Sequence, residues 1–229
     1  MNIEGLNKVT LLDYPGHVAC TVFTGGCDLR CPFCHNSQLV LEPGKTPIDE
    51  AVLFDLLRRR RGVLDGVAIT GGEPLLQPDI GDIIRRIREM GYSVKLDTNG
   101  THPKRLAALL DEGAVDYVAM DIKNSSERYA ATVGIPGFDV SLVRDSISAI
   151  MSGAPDYEFR TTVVAEFHEL ECFPAIGKMI HGAKRYFLQG FRDSGALIQP
   201  GLHAVPREEM EGFAAAAAPF VVRAELRGV

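Results

Sequence analysis

The sequence predicts an α/β protein, a partial (β/α)6 TIM-type barrel open on one side, carrying a small C-terminal helix-strand appendage. Short β-rich runs alternate with amphipathic stretches that end in glycine. Strand–helix–strand repetition of this kind gives parallel strands joined by right-handed crossovers. Six such units fall short of the eight that close a full barrel. No stretch is rich enough in Pro, Gly or Ser to divide the chain, and no internal repeat is present. Residues 1–229 are therefore expected to form a single domain, with a core over about 18–190 and the appendage over about 191–229.

The strands are expected at 18–24, 66–70, 92–97, 115–121, 157–164 and 184–189. Helices fill the gaps. The first opens at Thr46-Pro47-Ile48-Asp49, read as a cap with proline at the first helical position, and stops at Gly62. Ile48, Val52, Leu53, Leu56 and Leu57 make its apolar face. The second carries Ile80, Ile83, Ile84, Ile87 and Met90 before Gly91, and the third Leu106, Leu109 and Leu110 before Gly113. The fourth presents Val140, Val143, Ile147 and Ile150 before Gly153. Pro174 and Gly177 interrupt a weaker helical stretch over 169–182. The appendage reads as a loop through Gln199-Pro200-Gly201, a helix from about Pro206 to Ala218 and an edge strand from Val221 to Leu226.

Hydrophobic content of 46% and charged content of 24% are ordinary for a globular protein. A net charge of −6 argues against a nucleic-acid partner, which favours a basic stripe. No apolar run approaches the roughly 20 residues of a membrane span, and the first residues show no basic-then-apolar signal pattern. Five cysteines, three of them in one loop, do not resemble a secreted disulfide framework. A reducing cytoplasm is the expected compartment.

That loop, Gly25 to Asn36, follows the first strand and spaces Cys27, Cys31 and Cys34 as C-x3-C-x2-C. Soft thiolates select zinc, copper(I) or an iron–sulfur cluster. Structural zinc sites close with four ligands, and a ferredoxin cluster normally takes four cysteines. Three cysteines on a four-iron cluster leave one iron open for chemistry. With His35 as a fourth ligand the same loop would instead make a Cys3His zinc site.

In parallel α/β proteins ligands bind at the carboxyl ends of the strands. The other distinctive residues are expected at that rim. Gly71-Gly72-Glu73-Pro74 follows the second strand, where the glycines permit close backbone approach and Glu73 offers an acceptor for an ammonium group. A tight turn is the plainer reading. Asp97-Thr98-Asn99 ends the third strand, a sequence that alone would be just a turn. Asp121 and Lys123 end the fourth, spaced to share one face. Arg160 lies in the fifth as a candidate carboxylate clamp, and Gln189 ends the sixth. Cys20 and Cys172 are expected to be buried small hydrophobes.

The cysteine spacing, with Phe33 before the last cysteine, resembles the radical S-adenosylmethionine enzymes. Leu11-Leu-Asp-Tyr-Pro-Gly16 together with Cys31-Pro-Phe-Cys-His-Asn36 resembles the activating enzymes of glycyl-radical proteins, most of all those of anaerobic ribonucleoside-triphosphate reductase. The resemblance implies a [4Fe–4S] cluster on Cys27, Cys31 and Cys34, with S-adenosylmethionine on the open iron. It implies that Gly71 to Pro74 meet the methionine amino group and that Asp97, Thr98 and Asn99 meet ribose hydroxyls or the sulfonium end. Asp121 and Lys123 would also hold this cofactor, and Phe33 and His35 would flank the adenine. Gln189 departs from the histidine frequent in relatives. The implied chemistry is reductive cleavage of S-adenosylmethionine and removal of hydrogen from a partner's glycine Cα, with flavodoxin or ferredoxin as electron donor. A radical enzyme acting on a small molecule, as in deazapurine synthesis, is the alternative.

Overall fold

The computed structural model describes residues 1–229. One eight-stranded sheet runs in sequence order, β1 (Ile3–Thr10), β2 (Ala19–Thr24), β3 (Gly66–Gly71), β4 (Ser93–Thr98), β5 (Tyr117–Asp121), β6 (Asp156–Val163), β7 (Tyr186–Gly190) and β8 (Ala224–Arg227). From β2 to β8 every neighbour is parallel, whereas β1 runs antiparallel to β2. β1 and β8 do not pair, so the curved sheet stays open on one side.

Eight strands stand where the sequence reading had six in the core and one in the appendage, so β1 is the addition. β1 escaped notice because its Gly5, Asn7 and Lys8 are poor strand formers and its register is broken between Asn7 and Thr10. It pairs with one strand only and exposes residues 7–9, so no apolar alternation marks it. The C-terminal strand is shorter than expected, and it joins the sheet parallel to β7, pairing Tyr186 with Ala224 and Gln189 with Arg227.

The helices cover the outer face: α1 (Ser37–Leu41), α2 (Glu50–Arg59), α3 (Ile80–Glu89), α4 (Pro103–Asp111), α5 (Tyr129–Val133), α6 (Ser141–Gly153), α7 (Cys172–Met179) and α8 (Arg207–Ala217). α2 begins later than its proline suggested. Ile48 N–H donates to Ile3 O at 2.7 Å, which keeps residues 46–48 extended and leaves Asp49 to cap the helix through Ala51 N–H at 2.8 Å. α3 buries Ile80, Ile83, Ile84 and Ile87, the stripe its spacing foretold.

Alternation along the strands separates two environments. Val67, Ile69, Val94, Leu96, Val118, Met120, Phe159 and Leu188 point outward into a core shared with the helices. The inner face is different. A small cluster of Tyr14, Ala19, Ala68, Tyr117 and Ala119 plugs the amino-terminal end. Above it Lys95, Asp97, Glu158, Arg160 and Gln189 face a cavity instead of a packed layer.

Candidate active site

The cysteine loop leaves β2 and is pinned on every side. Gly25 N–H donates to Asn2 O at 3.0 Å and Gly26 N–H to Leu39 O at 2.7 Å. Arg30 N–H reaches Val133 O at 2.9 Å, and Gln199 N–H caps Pro32 O at 3.0 Å from the C-terminal loop. Asn36 Nδ2 donates to Gly71 O at 2.9 Å, tying the loop to the end of β3. The two glycines after β3 answer to this loop. A Cβ at Gly72 would lie 1.9 Å from Gly26 O, and one at Gly71, whose φ is +116°, would lie 2.3 Å from Thr24 N. Their bareness lets two backbones cross in contact, a demand the sequence reading assigned to a ligand.

Cys27, Cys31 and Cys34 line one cavity of about 260 Å³ at the carboxyl rim. Phe33, His35, Gly71, Gly72, Asp97, Thr98, Asn99, Asp121, Lys123, Arg160 and Gln189 line it with them. Thus the structure gathers all the singled-out residues except Glu73 and Pro74. Pro74 is buried at the start of a short 3-10 turn, Pro74–Leu76. Glu73 is fully buried, and its carboxylate is already engaged. Oε1 accepts from Leu75 N–H at 3.0 Å and Thr98 Oγ1 at 2.8 Å, and Oε2 accepts from Asn99 N–H at 2.7 Å. Instead of facing an ammonium group in the cavity, Glu73 braces the ends of β3 and β4 from behind. Burial pushes its carboxyl up to about 7 despite these three donors.

The charged rim forms one network. Arg160 Nε donates to Asp121 at 2.9 Å and its Nη1 to Asp97 at 3.2 Å. Lys123 Nζ donates to Asp121 at 3.1 Å, and Lys95 pairs with Asp97. Arg160 therefore clamps two carboxylates of its own chain. Burial would raise both aspartates, but the Arg160 guanidinium, helped by Lys95 at Asp97 and Lys123 at Asp121, holds them below the usual carboxylate range. Below this layer Arg227 reaches from β8 to grip Glu158 at 2.7 and 3.0 Å, and Tyr117 donates to the same carboxylate at 2.8 Å. A second cavity of about 610 Å³ lies along this inner face toward the Leu11–Pro15 loop and shares Thr70, Asp97, Arg160 and Gln189 with the first.

Sequence reading missed Lys95, Glu158 and Arg227. Their signal was a charge on alternate positions of apolar strands, Lys95 with Asp97 and Glu158 with Arg160. It also passed over His168, whose Nε2–H donates to Lys123 O at 2.8 Å while Nδ1 accepts from Val164 N–H at 3.1 Å. That buried, neutral ring fixes the turn carrying Lys123.

Three cysteine thiols line the cavity, the donor number that would leave one iron of a four-iron cluster open, whereas a structural zinc site closes with four ligands. His35 stacks on Phe191, ring centres 5.6 Å apart. Cys20 and Cys172 are free, buried and outside the cavity, leaving three thiols for the group. Burial pushes Cys27 up to about 12 and Cys31 to about 11, so a metal bound there must displace their thiol protons.

The profile of the radical SAM superfamily matches residues 21–173. A Methanocaldococcus jannaschii protein named as a glycyl-radical enzyme activating enzyme is 31% identical over 199 residues, 85% of this chain and 81% of its own. Pyruvate formate-lyase-activating enzyme of Clostridium pasteurianum is 33% identical over 127 residues, and the match spans 52% of its length. A 7-carboxy-7-deazaguanine synthase of Koribacter versatilis is 29% identical over 147 residues, 64% of this chain and 62% of its own. Among solved structures, Streptococcus suis SuiB bound to S-adenosylmethionine superposes with a TM-score of 0.67 at 14% identity, covering 90% of this chain and 49% of that one. No helix is long and apolar enough to cross a membrane. The chain belongs to the radical SAM superfamily, enzymes that work with a [4Fe–4S] cluster and S-adenosylmethionine.

Proposed function

We propose that this enzyme activates a glycyl-radical protein, an anaerobic ribonucleoside-triphosphate reductase, drawing its electron from flavodoxin or ferredoxin. Cys27, Cys31 and Cys34 hold the cluster. When bound, the cluster and S-adenosylmethionine supply the one-electron cleavage that generates a hydrogen-abstracting radical. The chain supplies position and shelter. Gly71 and Gly72 offer bare backbone at the rim, and Phe33 gives the cofactor an apolar wall. Lys123, held by Asp121, presents a cation at the rim for a carboxylate.

The joined pair of cavities carries this reading. Lys95, Arg160 and Arg227, which face the inner chamber, are each paired with a carboxylate of the chain, so beyond Lys123 at the rim the chamber offers no unpaired cation to a triphosphate. An uncharged backbone segment bearing a glycine suits such a chamber, and the open side of the sheet gives it a way in. The 31% identity across most of both chains with the M. jannaschii activating enzyme supports the same conclusion.

The test is anaerobic reconstitution, reduction and incubation with candidate reductases, followed by EPR. A glycyl doublet in the partner is expected. Cofactor cleavage without a doublet in any partner would favour a small-molecule substrate of the deazapurine type. A colourless product with stoichiometric zinc would end the radical reading altogether.

A further inference from the structure

We propose that Asn99 tunes the cluster instead of binding S-adenosylmethionine: its side-chain amide donates an N–H···S hydrogen bond to Cys27 and raises the reduction potential of the cluster that Cys27 ligates. The inference rests on the reading of Cys27, Cys31 and Cys34 as cluster ligands. Asn99 Nδ2 lies 3.6 Å from Cys27 Sγ and 3.0 Å from Asp28 Oδ1. Its Oδ1 accepts from Thr101 N–H at 2.9 Å and from Thr101 Oγ1 at 2.7 Å. Donors stand on one side of the amide and acceptors on the other. Turning it over would set its NH2 against a backbone N–H and its oxygen against a carboxylate, so the orientation is fixed by chemistry.

The residue is 7% exposed, so little water competes for the sulfur. Cys27 also receives Leu29 N–H at 3.4 Å. Among the three rim cysteines it alone accepts a hydrogen bond from a side chain, which makes Asn99 the contact that substitution can remove. The backbone from which that side chain projects is set by Glu73, which accepts Asn99 N–H at 2.7 Å and lies wholly behind the cavity wall. Glu73 is thus a positioning residue. The Gly-Gly-Glu turn reaches the cluster sulfur through Asn99, and its carboxylate makes no direct contact there.

A donor to a ligating sulfur withdraws charge from the metal centre and stabilises the reduced form, which carries one more negative charge. In a site that an outside donor must reduce, that moves the equilibrium toward the reduced cluster. The effect is separable from binding of S-adenosylmethionine, because it exists in the cofactor-free, cluster-loaded protein.

The experiment is an EPR-monitored redox titration of reconstituted protein without S-adenosylmethionine. Asn99→Ser keeps a short acceptor for Thr101 N–H and loses the reach to Cys27. At the potential where the wild-type cluster is half reduced, the variant should hold a several-fold lower ratio of reduced to oxidised cluster. After exchange into D2O, deuterium ENDOR of the reduced variant should lack one coupling that the wild type shows. Thr101→Val, which frees the amide to turn, should move the midpoint the same way by less, and it carries the test if Asn99→Ser does not load iron. An unchanged midpoint and unchanged deuteron couplings in a fully loaded variant would overturn the proposal. Failure of the wild type to take up iron would overturn the cluster reading instead.

Discussion

Replacing Gly72 with alanine asks whether the rim glycines serve the cysteine loop. A Cβ there would sit 1.9 Å from Gly26 O and 2.7 Å from Gly26 C. Carbon and carbonyl oxygen rarely approach within about 3.3 Å, so the Gly26 carbonyl must retreat by about 1.4 Å. Its surroundings resist. Gly26 O accepts Glu73 N–H at 2.8 Å, Gly26 N–H is held by Leu39 O at 2.7 Å, and Gly72 N–H is held by Thr24 O at 2.8 Å. Losing the bond to Glu73 strands a buried N–H at about 1–3 kcal/mol, and overpacking adds about 1–3 kcal/mol. Gly72 does not need left-handed backbone, so the whole effect is steric. Urea unfolding of the metal-free protein should show a loss of about 2–6 kcal/mol, with reduced iron uptake because Cys27 follows Gly26. Gly212→Ala is the control, since a methyl in α8 meets open space and should stabilise by about 0.4–1 kcal/mol. A Gly72→Ala cost below about 1 kcal/mol with full iron uptake would refute the steric reasoning.

Three further outcomes follow from the site. Cys31→Ala should abolish reductive cleavage of S-adenosylmethionine while far-UV circular dichroism stays native, and retained 5′-deoxyadenosine formation would defeat the ligand assignment. Arg160→Leu leaves two partly buried aspartates with only their lysine partners, so urea unfolding should show a loss of about 3 kcal/mol, the low end for breaking a buried ion pair; a loss under about 1 kcal/mol would mean the lysines suffice. Glu73 titrates near 7 when folded against 4.5 as a free side chain, so the folded state binds a proton that the unfolded chain releases. Its contribution to stability is therefore present below about pH 4.5 and is lost as pH rises through about 7, by at most about 3 kcal/mol. The difference between wild type and Glu73→Gln, followed by urea unfolding from pH 5 to pH 8, should trace that fall, and a flat difference would count against it. Asp97 and Asp121, held low, act in the opposite sense and lose their contribution only in acid.

The parallel core was legible because β2 to β7 are bounded by glycines and by helices with strong apolar stripes, such as Ile80, Ile83, Ile84 and Ile87. The rim was legible because parallel strands must bring their ends to one side, and Gly71, Asp97, Asp121 and Gln189 each lie at the last or next-to-last residue of a strand. What escaped depended on partners far away in sequence. β1 is defined by pairing with β2 through residues such as Leu6 and Val22, not by its own composition. The direction of Glu73 depends on the donors of Thr98 and Asn99, some 25 residues on, and a motif alone does not say which way a side chain faces. Arg227 enters the interior only because β8 joins the sheet in a register that sets it beside Gln189.

The inner face of a closed eight-stranded barrel is filled with branched apolar side chains. Here the same positions hold Lys95 and Glu158, both buried, and Asp97, Asp121, Arg160 and Arg227, partly buried, and such charges stay inside because each finds a counter-charge. Pairing has two consequences for chemistry. It keeps the strand ends in fixed register around the thiols without asking the cofactor to hold them, since Arg160 alone joins β4, β5 and β6. It also leaves the chamber close to electrically neutral, so that introducing a cluster on three thiolates, at the cost of three protons, is the main change of charge the site must absorb. Burial holds those thiols protonated beforehand, and the nearby Lys123 partly opposes it at Cys31 and Cys34. Cluster assembly in this protein should therefore be proton-coupled and favoured by raised pH, while the surrounding ion pairs stay as they are.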